Sequence, residues 1–519
     1  MSGRLLNFFL ISSLFLLVFI TKLPVLHLPY HWDALGFTFT RSFYLYQHTL
    51  NPFSLPWNSG HPPLFYYLLT LSWKIFSPSP RVSRLLLVLF SFVGIYFTYL
   101  LGKESLGRRG GIFPALLLYL SPLYFAQSGI LNLDLPLTTF ALMTFYFWKK
   151  KKKIPFLLSS IFMVFTKETG ALVLLSLFLV SLVEKRKIFT QDSFLTFFPL
   201  SLLSLWYLLN WSQTGWFLYP PQLSYQRRWL LGKAFYFSLW ERTGNLFSQH
   251  YHFLLSSFLL LSFFPFQRIR KDKNPFPRII LWGASSLFLY LLFKFSFLFP
   301  LFLVWIIYAF KEGKGQNLSY LVLLLVNLIF YSLFSPFLPR YMLLLYPFYF
   351  LLSFESLKEW FPQRRHQALF SLLLAVLFIF HWWGERNPEG EGSGALLESN
   401  LEYIDMVRTH QEACQFIEEN FPQAVILTDW PQVIELSFPY AGYVNSPLQT
   451  FYVETWKGEK FQILYYSPQS PHAHRLREIV KEFSLHPVKI FQRQGKKAVI
   501  YLPQKSQESV KTKEKAKET

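Results

Sequence analysis

The chain has 519 residues, of which 52% are hydrophobic and 20% are aromatic, and its formal net charge is +21. So many apolar side chains exceed what one globular core uses, which points to a membrane protein. In a membrane protein an excess of Lys and Arg is expected in the cytoplasmic loops, so the positive charge is not interpreted as a sign of nucleic-acid binding. The single cysteine, Cys414, excludes an internal disulfide and any multi-cysteine metal or iron–sulfur site.

Long apolar runs recur along the first three quarters of the chain, from Leu5 to Trp383. A run of about 20 residues crosses a hydrocarbon core of roughly 30 Å. Backbone polar groups in that core must be paired internally, so these spans are predicted to be helices. The first run follows Arg4 and lacks a small-residue cleavage site, so it is interpreted as an uncleaved span. The spans, about thirteen in number, are residues 5–21, 81–101, 111–125, 133–148, 154–165, 170–183, 193–211, 253–266, 279–293, 295–310, 318–334, 341–357 and 368–383.

The basic loops between these spans indicate an orientation. If the N-terminus is cytoplasmic, six loops rich in Lys or Arg all lie inside, as the positive-inside tendency expects. Those loops are residues 103–109, 149–153, 184–187, 267–278, 311–314 and 358–366. With an odd number of spans, the chain after Trp383 then lies outside. The spans at 154–165 and 170–183 are short and are predicted to form a tight hairpin, since a single long helix would join two basic flanks.

The C-terminal part of the chain changes in composition. Residues 387–394 form a polar linker, and residues 504–519 form a charged tail that is expected to be disordered. Between them, helices at 401–420 and 471–483 alternate with strands at 424–428, 461–466, 488–492 and 498–502, a pattern typical of a small α/β domain. The predicted fold class is therefore a polytopic all-α membrane protein with a small C-terminal α/β soluble domain. Its parts are a transmembrane domain at 1–384 with a long first outer loop at 22–80, an extracytoplasmic domain at 385–503 and the tail at 504–519.

The first outer loop contains the sequence His31-Trp-Asp33. Asp33 is the only acidic residue before Glu104. It could cap the helix that follows, or it could act as a general base in an outward-facing cavity. The loop is amphipathic, so helices lying along the outer membrane surface are expected within it.

Two further acidic candidates start or join spans on the same side. Asp134 begins the fourth span, where a carboxylate can serve either the helix dipole or the chemistry of a site. Lys167 and Glu168 lie at the tip of the short hairpin and could form an interfacial ion pair or contribute to a site.

Basic and imidazole groups also collect at this side. Arg340 precedes Tyr341 at the outer start of the twelfth span, where its planar fork could clamp a phosphate or its charge could extend to lipid headgroups. His250 and His252 enter the eighth span and could bind a metal, or could be two interfacial histidines. All these clusters fall on one predicted face of the membrane, which favours a single outward-facing site that combines carboxylates with cations.

The order of these motifs resembles the GT-C superfamily of glycosyltransferases that use lipid-linked sugars, in particular glycosyltransferase family 39, the protein O-mannosyltransferases and the bacterial aminoarabinose transferases. The motifs that carry the resemblance are Asp33, His61-Pro-Pro-Leu-Phe-Tyr-Tyr67, Ser121-Pro-Leu through Asp134, Thr166-Lys-Glu168 and Arg340-Tyr341. The chain departs from the family at three positions: Ala34 stands where a Glu is frequent, His61 where many relatives have Lys, and Asn132 where a basic residue often precedes the second Asp.

The resemblance implies a transferase of the bacterial inner, or plasma, membrane with its site on the periplasmic side. The donor would be a sugar on a polyprenyl phosphate, and the acceptor a hydroxyl of a lipid, a glycan or a protein. Asp33, with Asp134, would be catalytic, and inversion at the sugar would follow from in-line attack. Positive charge for the leaving phosphate would come from Arg340, Lys167, His61 or a divalent metal ion.

The residues assigned to the substrate cavity are His31, Tyr66, Tyr67, Glu168 and Tyr341. The alternative function is a transporter or flippase of lipid-linked glycans, which would need polar residues in the middle of several spans.

Overall fold

The computed structural model describes residues 3–48, 50–54, 60–185, 191–217, 232–262, 276–294, 316–333, 338–383 and 394–503. Most of these residues are helical. Among the described helices, five are long and apolar enough to cross a membrane by length and composition. The expected count of about thirteen spans is therefore not confirmed. The predicted span at 295–310, the linker at 387–393 and the tail at 504–519 lie outside the described residues, as do most of the basic loops at 267–278 and 311–314.

The helices of the membrane part follow one another through the first 383 residues. They are α1 (Gly3–Lys22), α2 (Thr40–Gln47), α3 (Leu64–Ile75), α4 (Pro80–Gly110), α5 (Ile112–Leu120), α6 (Pro122–Gln127), α7 (Asp134–Lys149), α8 (Lys153–Thr166), α9 (Gly170–Lys185), α10 (Gln191–Thr214), α11 (Lys233–Phe247), α12 (His252–Ser262), α13 (Phe276–Lys294), α14 (Gln316–Leu333), α15 (Tyr346–Trp360) and α16 (Arg364–Phe380). The five long apolar helices are α1, α4, α10, α13 and α16.

Two predicted spans are interrupted in the structure. The span at 111–125 is divided between α5 and α6, because Ser121 has an extended backbone and the proline after it begins a new helix. The span at 341–357 starts as a 3₁₀ helix, Pro339–Leu344, before α15 begins. By contrast, α8 and α9 are two separate helices that pack together, as expected for the short hairpin.

The first outer loop is largely helical, as the sequence predicts. A π-helix, Ala34–Phe39, runs directly into α2, and α3 follows after a short 3₁₀ turn. Phe39 and Phe43 are buried and meet the ring of Phe438 edge-on, so this part of the loop is covered by the C-terminal domain rather than left open. The predicted position of these helices along a membrane surface stays a prediction, because it depends on the membrane boundary.

The C-terminal domain is a small α/β unit. Its five strands are β1 (Val425–Thr428), β2 (Gln449–Tyr452), β3 (Ile463–Tyr466), β4 (His486–Arg493) and β5 (Lys496–Leu502), in the order β2-β1-β3-β5-β4. β1 is parallel to both neighbours, whereas β5 is antiparallel to β3 and β4. Three helices complete the domain: α17 (Glu402–Asn420), α18 (Gln432–Ser437) and α19 (Ala473–Glu482). The four predicted strands and both predicted helices are present; β2 and α18 are additional.

The C-terminal domain packs directly on the first outer loop. The Tyr443 hydroxyl donates to the Tyr30 carbonyl at 2.8 Å, and the Tyr30 amide donates to the Ala441 carbonyl at 3.3 Å. Beside this contact the Trp430 indole lies against Gly36, where an added Cβ would overlap it. The domain is therefore held at the end of the helices that carries His31 and Asp33.

Candidate active site

Arg340 is the centre of a buried cluster of charges. Its side chain is 9% exposed and makes ion pairs with three carboxylates: Nη2 with Asp33, Nη1 with Glu398, and Nε with Asp134 at 3.4 Å. Hydrogen bonds from a charged guanidinium to carboxylates are stronger than neutral ones and fix the geometry of the fork. The interpretation of Arg340 as a residue extending to lipid headgroups is therefore wrong for this structure.

Asp134 is the second anchor of the cluster. Its Oδ1 accepts from Lys167 Nζ at 2.7 Å, and both side chains are more than nine-tenths buried. Burial alone would lower the pKa of Lys167, but the Asp134 carboxylate and the Tyr341 ring beside it raise it overall. Lys167 thus stays charged at the tip between α8 and α9, and its partner is Asp134, not Glu168 as the ion-pair interpretation supposed.

Asp33 is the most accessible of the three carboxylates on Arg340. Its side chain is 19% exposed, compared with 7% for Asp134 and 1% for Glu398. Although it precedes the π-helix, its side chain makes no capping hydrogen bond, so the helix-cap alternative is not supported. A carboxylate that is partly open and fixed by a cation is a suitable proton acceptor for a substrate hydroxyl.

The backbone around Asp33 is held in place from two sides. Trp32 has a φ of +43°, a left-handed conformation that costs energy for a bulky residue, and its ring meets Trp430 edge-on at 4.8 Å. Just upstream, the buried Arg84 donates to the backbone carbonyls of Leu28, Pro29 and Gly129. The strain and the anchoring occur immediately beside the candidate base.

Glu398 is a member of the cluster that the sequence did not indicate. It lies in a 3₁₀ segment, Gly394–Ser399, between the last apolar helix and the C-terminal domain. Its Oε2 accepts from Arg340 and from Asn132 Nδ2 at 3.2 Å, and its backbone carbonyl accepts from Gln127 at 2.9 Å. Burial raises the pKa of Glu398 to about 7, although Arg340 acts in the opposite direction.

Among the other candidate residues of the first outer loop, His61 contacts the tip between α8 and α9, whereas Tyr66 and Tyr67 form hydrogen bonds within the loop. His61 Nδ1 lies 2.7 Å from Glu168 Oε2, which links the loop to the α8–α9 tip, and this contact lowers the pKa of Glu168 against the effect of burial. Tyr66 accepts from Arg41 at 2.9 Å, and Tyr67 donates to the Leu50 carbonyl at 2.6 Å. The role of His61 in binding a donor phosphate stays a prediction.

Aromatic rings border the cluster on two sides. Lys167 Nζ lies 4.4 Å above the Tyr341 ring, and the Arg340 guanidinium lies 5.7 Å from it. Such contacts stabilise a desolvated cation by about 2 kcal/mol or more. On the other side, the buried His31 ring is 5.6 Å from Tyr403 of the C-terminal domain.

The two histidines proposed as metal ligands, His250 and His252, contact residues outside the Arg340 cluster. His252 is buried against Tyr346 and Tyr349, with Nδ1 2.7 Å from the Leu246 carbonyl, whereas His250 faces His381. Within the described ranges, no group of three or more His, Cys, Asp or Glu side chains could hold a metal ion. A divalent metal ion therefore stays a prediction.

Comparison with known proteins gives one family and a shared fold. Residues 60–212 match the family described as dolichyl-phosphate-mannose-protein mannosyltransferase. No curated protein sequence matches the chain. Among solved structures, ArnT from Cupriavidus metallidurans in the apo state is 13% identical with a TM-score of 0.56, and ArnT bound to undecaprenyl phosphate is 13% identical with a TM-score of 0.54; each covers 96% of this chain and 98% of its own.

An oligosaccharyltransferase from Archaeoglobus fulgidus is also similar, at 11% identity and a TM-score of 0.41 over 85% of this chain and 64% of its own. The match at residues 60–212 and the similar structure over nearly the whole chain agree with the resemblance seen in the motifs: the chain has the fold of ArnT, and its long apolar helices indicate a membrane protein.

Proposed function

We propose that the protein is an integral membrane glycosyltransferase. It takes a sugar from a polyprenyl-phosphate donor and transfers it to an acceptor hydroxyl on the outer side of a bacterial inner membrane, where the C-terminal domain also lies. The proposal does not assign the sugar. The acceptor is a lipid, a glycan or a protein.

The observation that carries this proposal is the cluster around Arg340. Asp33, Asp134, Lys167 and Arg340 come from four separate segments and meet in direct ion pairs. Burying this many charges is costly unless each is paired, so such a cluster is uncommon as mere scaffolding and frequent at functional sites. It lies at the end of the helices where the C-terminal domain docks.

The chemistry follows from the two kinds of charge. The Asp33 carboxylate takes the proton of the acceptor hydroxyl, and the acceptor oxygen bonds to the anomeric carbon. The bond from that carbon to the phosphate oxygen breaks, and the electron pair leaves with the lipid phosphate. Arg340 and Lys167 stabilise the developing negative charge in a site of low dielectric. Attack from the face opposite the leaving group inverts the sugar.

Two comparisons support a lipid phosphate as the donor. The family matched at residues 60–212 is named for a dolichyl-phosphate sugar donor, and one ArnT structure with the same fold holds undecaprenyl phosphate. The transporter alternative is less well supported, because most ionisable groups of the described helices lie near helix ends rather than along a path through their middle.

The test is transfer by the purified protein in lipid vesicles. Polyprenyl-phosphate sugars and candidate acceptors are supplied, and release of free lipid phosphate is followed. Asp33→Asn should slow release by about 10²–10⁴-fold, the usual contribution of a general base. The matched control is Glu412→Gln, which removes an exposed carboxylate paired with Arg493 and should leave the rate unchanged. Movement of the intact donor across the vesicle membrane without any release would favour the transporter instead.

A further inference from the structure

Every nitrogen of the Arg340 guanidinium is already engaged by a carboxylate. Although a guanidinium has five N–H donors, a donor phosphate bound to Arg340, as the proposed function requires, would add a fourth anion to three carboxylates that Arg340 and Lys167 offset in the described site. Repulsion in this buried cluster then favours the neutralisation and release of one carboxylate. Which one leaves is decided by what else holds each of them.

Asp134 and Asp33 are poor candidates for release. Asp134 is fixed from its other side by Lys167 at 2.7 Å, so it would keep its charge and its position. Asp33 is partly exposed and has to remain ionised to accept a proton.

Glu398 is the most buried of the three carboxylates, and Arg340 is its only cation among the described residues, so its charge depends most on that ion pair. Apart from Arg340, its carboxylate contacts only the neutral amide of Asn132, and its Oε1, which is buried, has no hydrogen-bond partner among the described residues. A buried carboxylate deprived of its only cation is strongly disfavoured as an anion. It would therefore take up a proton when Arg340 turns to another anion.

We propose that Glu398 is a positioning residue of the transferase site, which holds Arg340 in the empty protein and releases one arm of it, by taking up a proton, when the donor phosphate binds. This inference rests on the proposed function. The proton that Glu398 gains offsets the negative charge that the phosphate brings, so the net charge of the buried cluster does not change.

The charged and titratable neighbours of Glu398 agree with this role. Arg340 faces it from the 3₁₀ helix, and Asp33 from the first outer loop. The packed helix α6 offers Gln127 and the following loop Asn132, both neutral.

In α17, Glu402 is paired with Lys496, and Tyr403 lies beside His31. Arg340 is the single cation that acts on the Glu398 carboxyl in the described part of the chain, and Asp33 repels its charge, which favours protonation.

The probe for the test is undecaprenyl methyl phosphate, a phosphodiester like the proposed donor, which has no proton that titrates between pH 6 and 8. Binding is measured on the full chain in lipid nanodiscs. Only protonated Glu398 frees Arg340, so the apparent affinity scales with the protonated fraction. With a pKa of about 7, the wild-type affinity should be about 10-fold weaker at pH 8 than at pH 6.

Glu398→Gln should bind the probe equally well at both pH values, and about 10-fold more tightly than the wild type at pH 8. Glu402→Gln, on the adjoining helix and paired with Lys496, is the matched control and should keep the wild-type pH dependence. The wild-type titration needs no variant, so it decides the question even if Glu398→Gln does not fold.

The outcomes separate the two proposals. A wild-type affinity that does not change with pH, or a Glu398→Gln variant that keeps the pH dependence, would overturn the role of Glu398 while the transferase stands. Failure of the wild-type protein to bind the phosphodiester at either pH would overturn the proposed function, and the role of Glu398 with it.

Discussion

The ion pair between Lys167 and Asp134 gives the sharpest prediction about the cluster. Lys167→Met removes the ammonium group but keeps an apolar chain of similar length, and it leaves Asp134 ionised and buried. Asp134→Asn has the converse effect, because it leaves the Lys167 ammonium group buried without its carboxylate. In both variants one charge loses the partner that made its burial tolerable.

The expected magnitudes follow from what remains around each charge. Removing one partner of a buried pair costs about 3–5 kcal/mol of unfolding free energy. Both variants should fall near the lower end, at about 3 kcal/mol, because Asp134 keeps Arg340 at 3.4 Å and Lys167 keeps the Tyr341 ring at 4.4 Å. The double variant removes both charges, so it should lower the unfolding free energy by no more than either single variant does. Relative to the sum of the two single effects, this corresponds to a coupling energy of about 3 kcal/mol.

The assay is reversible unfolding in mixed detergent micelles for the wild type, the two single variants and the double variant. The matched control is the same cycle at Lys150 and Glu104, a pair with a 2.6 Å contact in which the Lys150 side chain is 44% exposed. Its coupling should stay below about 1 kcal/mol, as for exposed pairs in general. If the effects of Lys167→Met and Asp134→Asn simply add, the two side chains do not interact as the structure has them and the reasoning is refuted.

Three other predictions concern the contacts around the site. Because burial raises the pKa of Glu398 from 4.5 to about 7, the folded state between these pH values binds a proton that the unfolded chain has lost, and stability should fall as pH rises from about 4.5 to 7. In thermal unfolding, Glu398→Gln should lack this part of the fall, and an identical pH profile in both proteins would contradict the prediction. Gly36→Ala should lower transferase activity at least about 10-fold, since its Cβ would meet the indole of the C-terminal domain, whereas Gly283→Ala, with nothing within 4 Å, should leave activity intact. Tyr443→Phe should cost about 1–2 kcal/mol of stability by removing the 2.8 Å bond that ties the domain to the first outer loop, while the exposed Tyr440→Phe should cost nothing measurable; equal costs would show that this bond is not what holds the domain.

The sequence predicted which residues would share a site better than it predicted their partners. Asp33, Asp134, Lys167 and Arg340 were placed on one side by the alternation of basic loops alone, and the structure brings all four together. Their pairings depend on how four distant segments pack, which no local pattern encodes.

Glu398 illustrates the limit of such reasoning. It lies in a short segment between a polar linker and a helix, with neither periodicity nor a motif around it. The only available signal was negative: an acidic residue in an otherwise apolar Ala-Leu-Leu stretch that would not need one. Similarly, β2 was missed because four residues with exposed and half-buried side chains do not show the alternation that identifies a strand.

The separation between Asp33 and Arg340 along the chain has a consequence for how the protein is made. These two partners are 307 residues apart, and Glu398 is later still. At a synthesis rate of about 5–20 residues per second, Asp33 waits roughly 15–60 seconds for its counter-charge to leave the ribosome. Throughout insertion the growing chain therefore holds an acidic site without its cation, and the carboxylates keep water around them until the late helices arrive. If the protein is the transferase proposed above, it becomes competent only after Arg340 and Glu398 have been made and have joined Asp33, so an incompletely translated chain should not consume the donor.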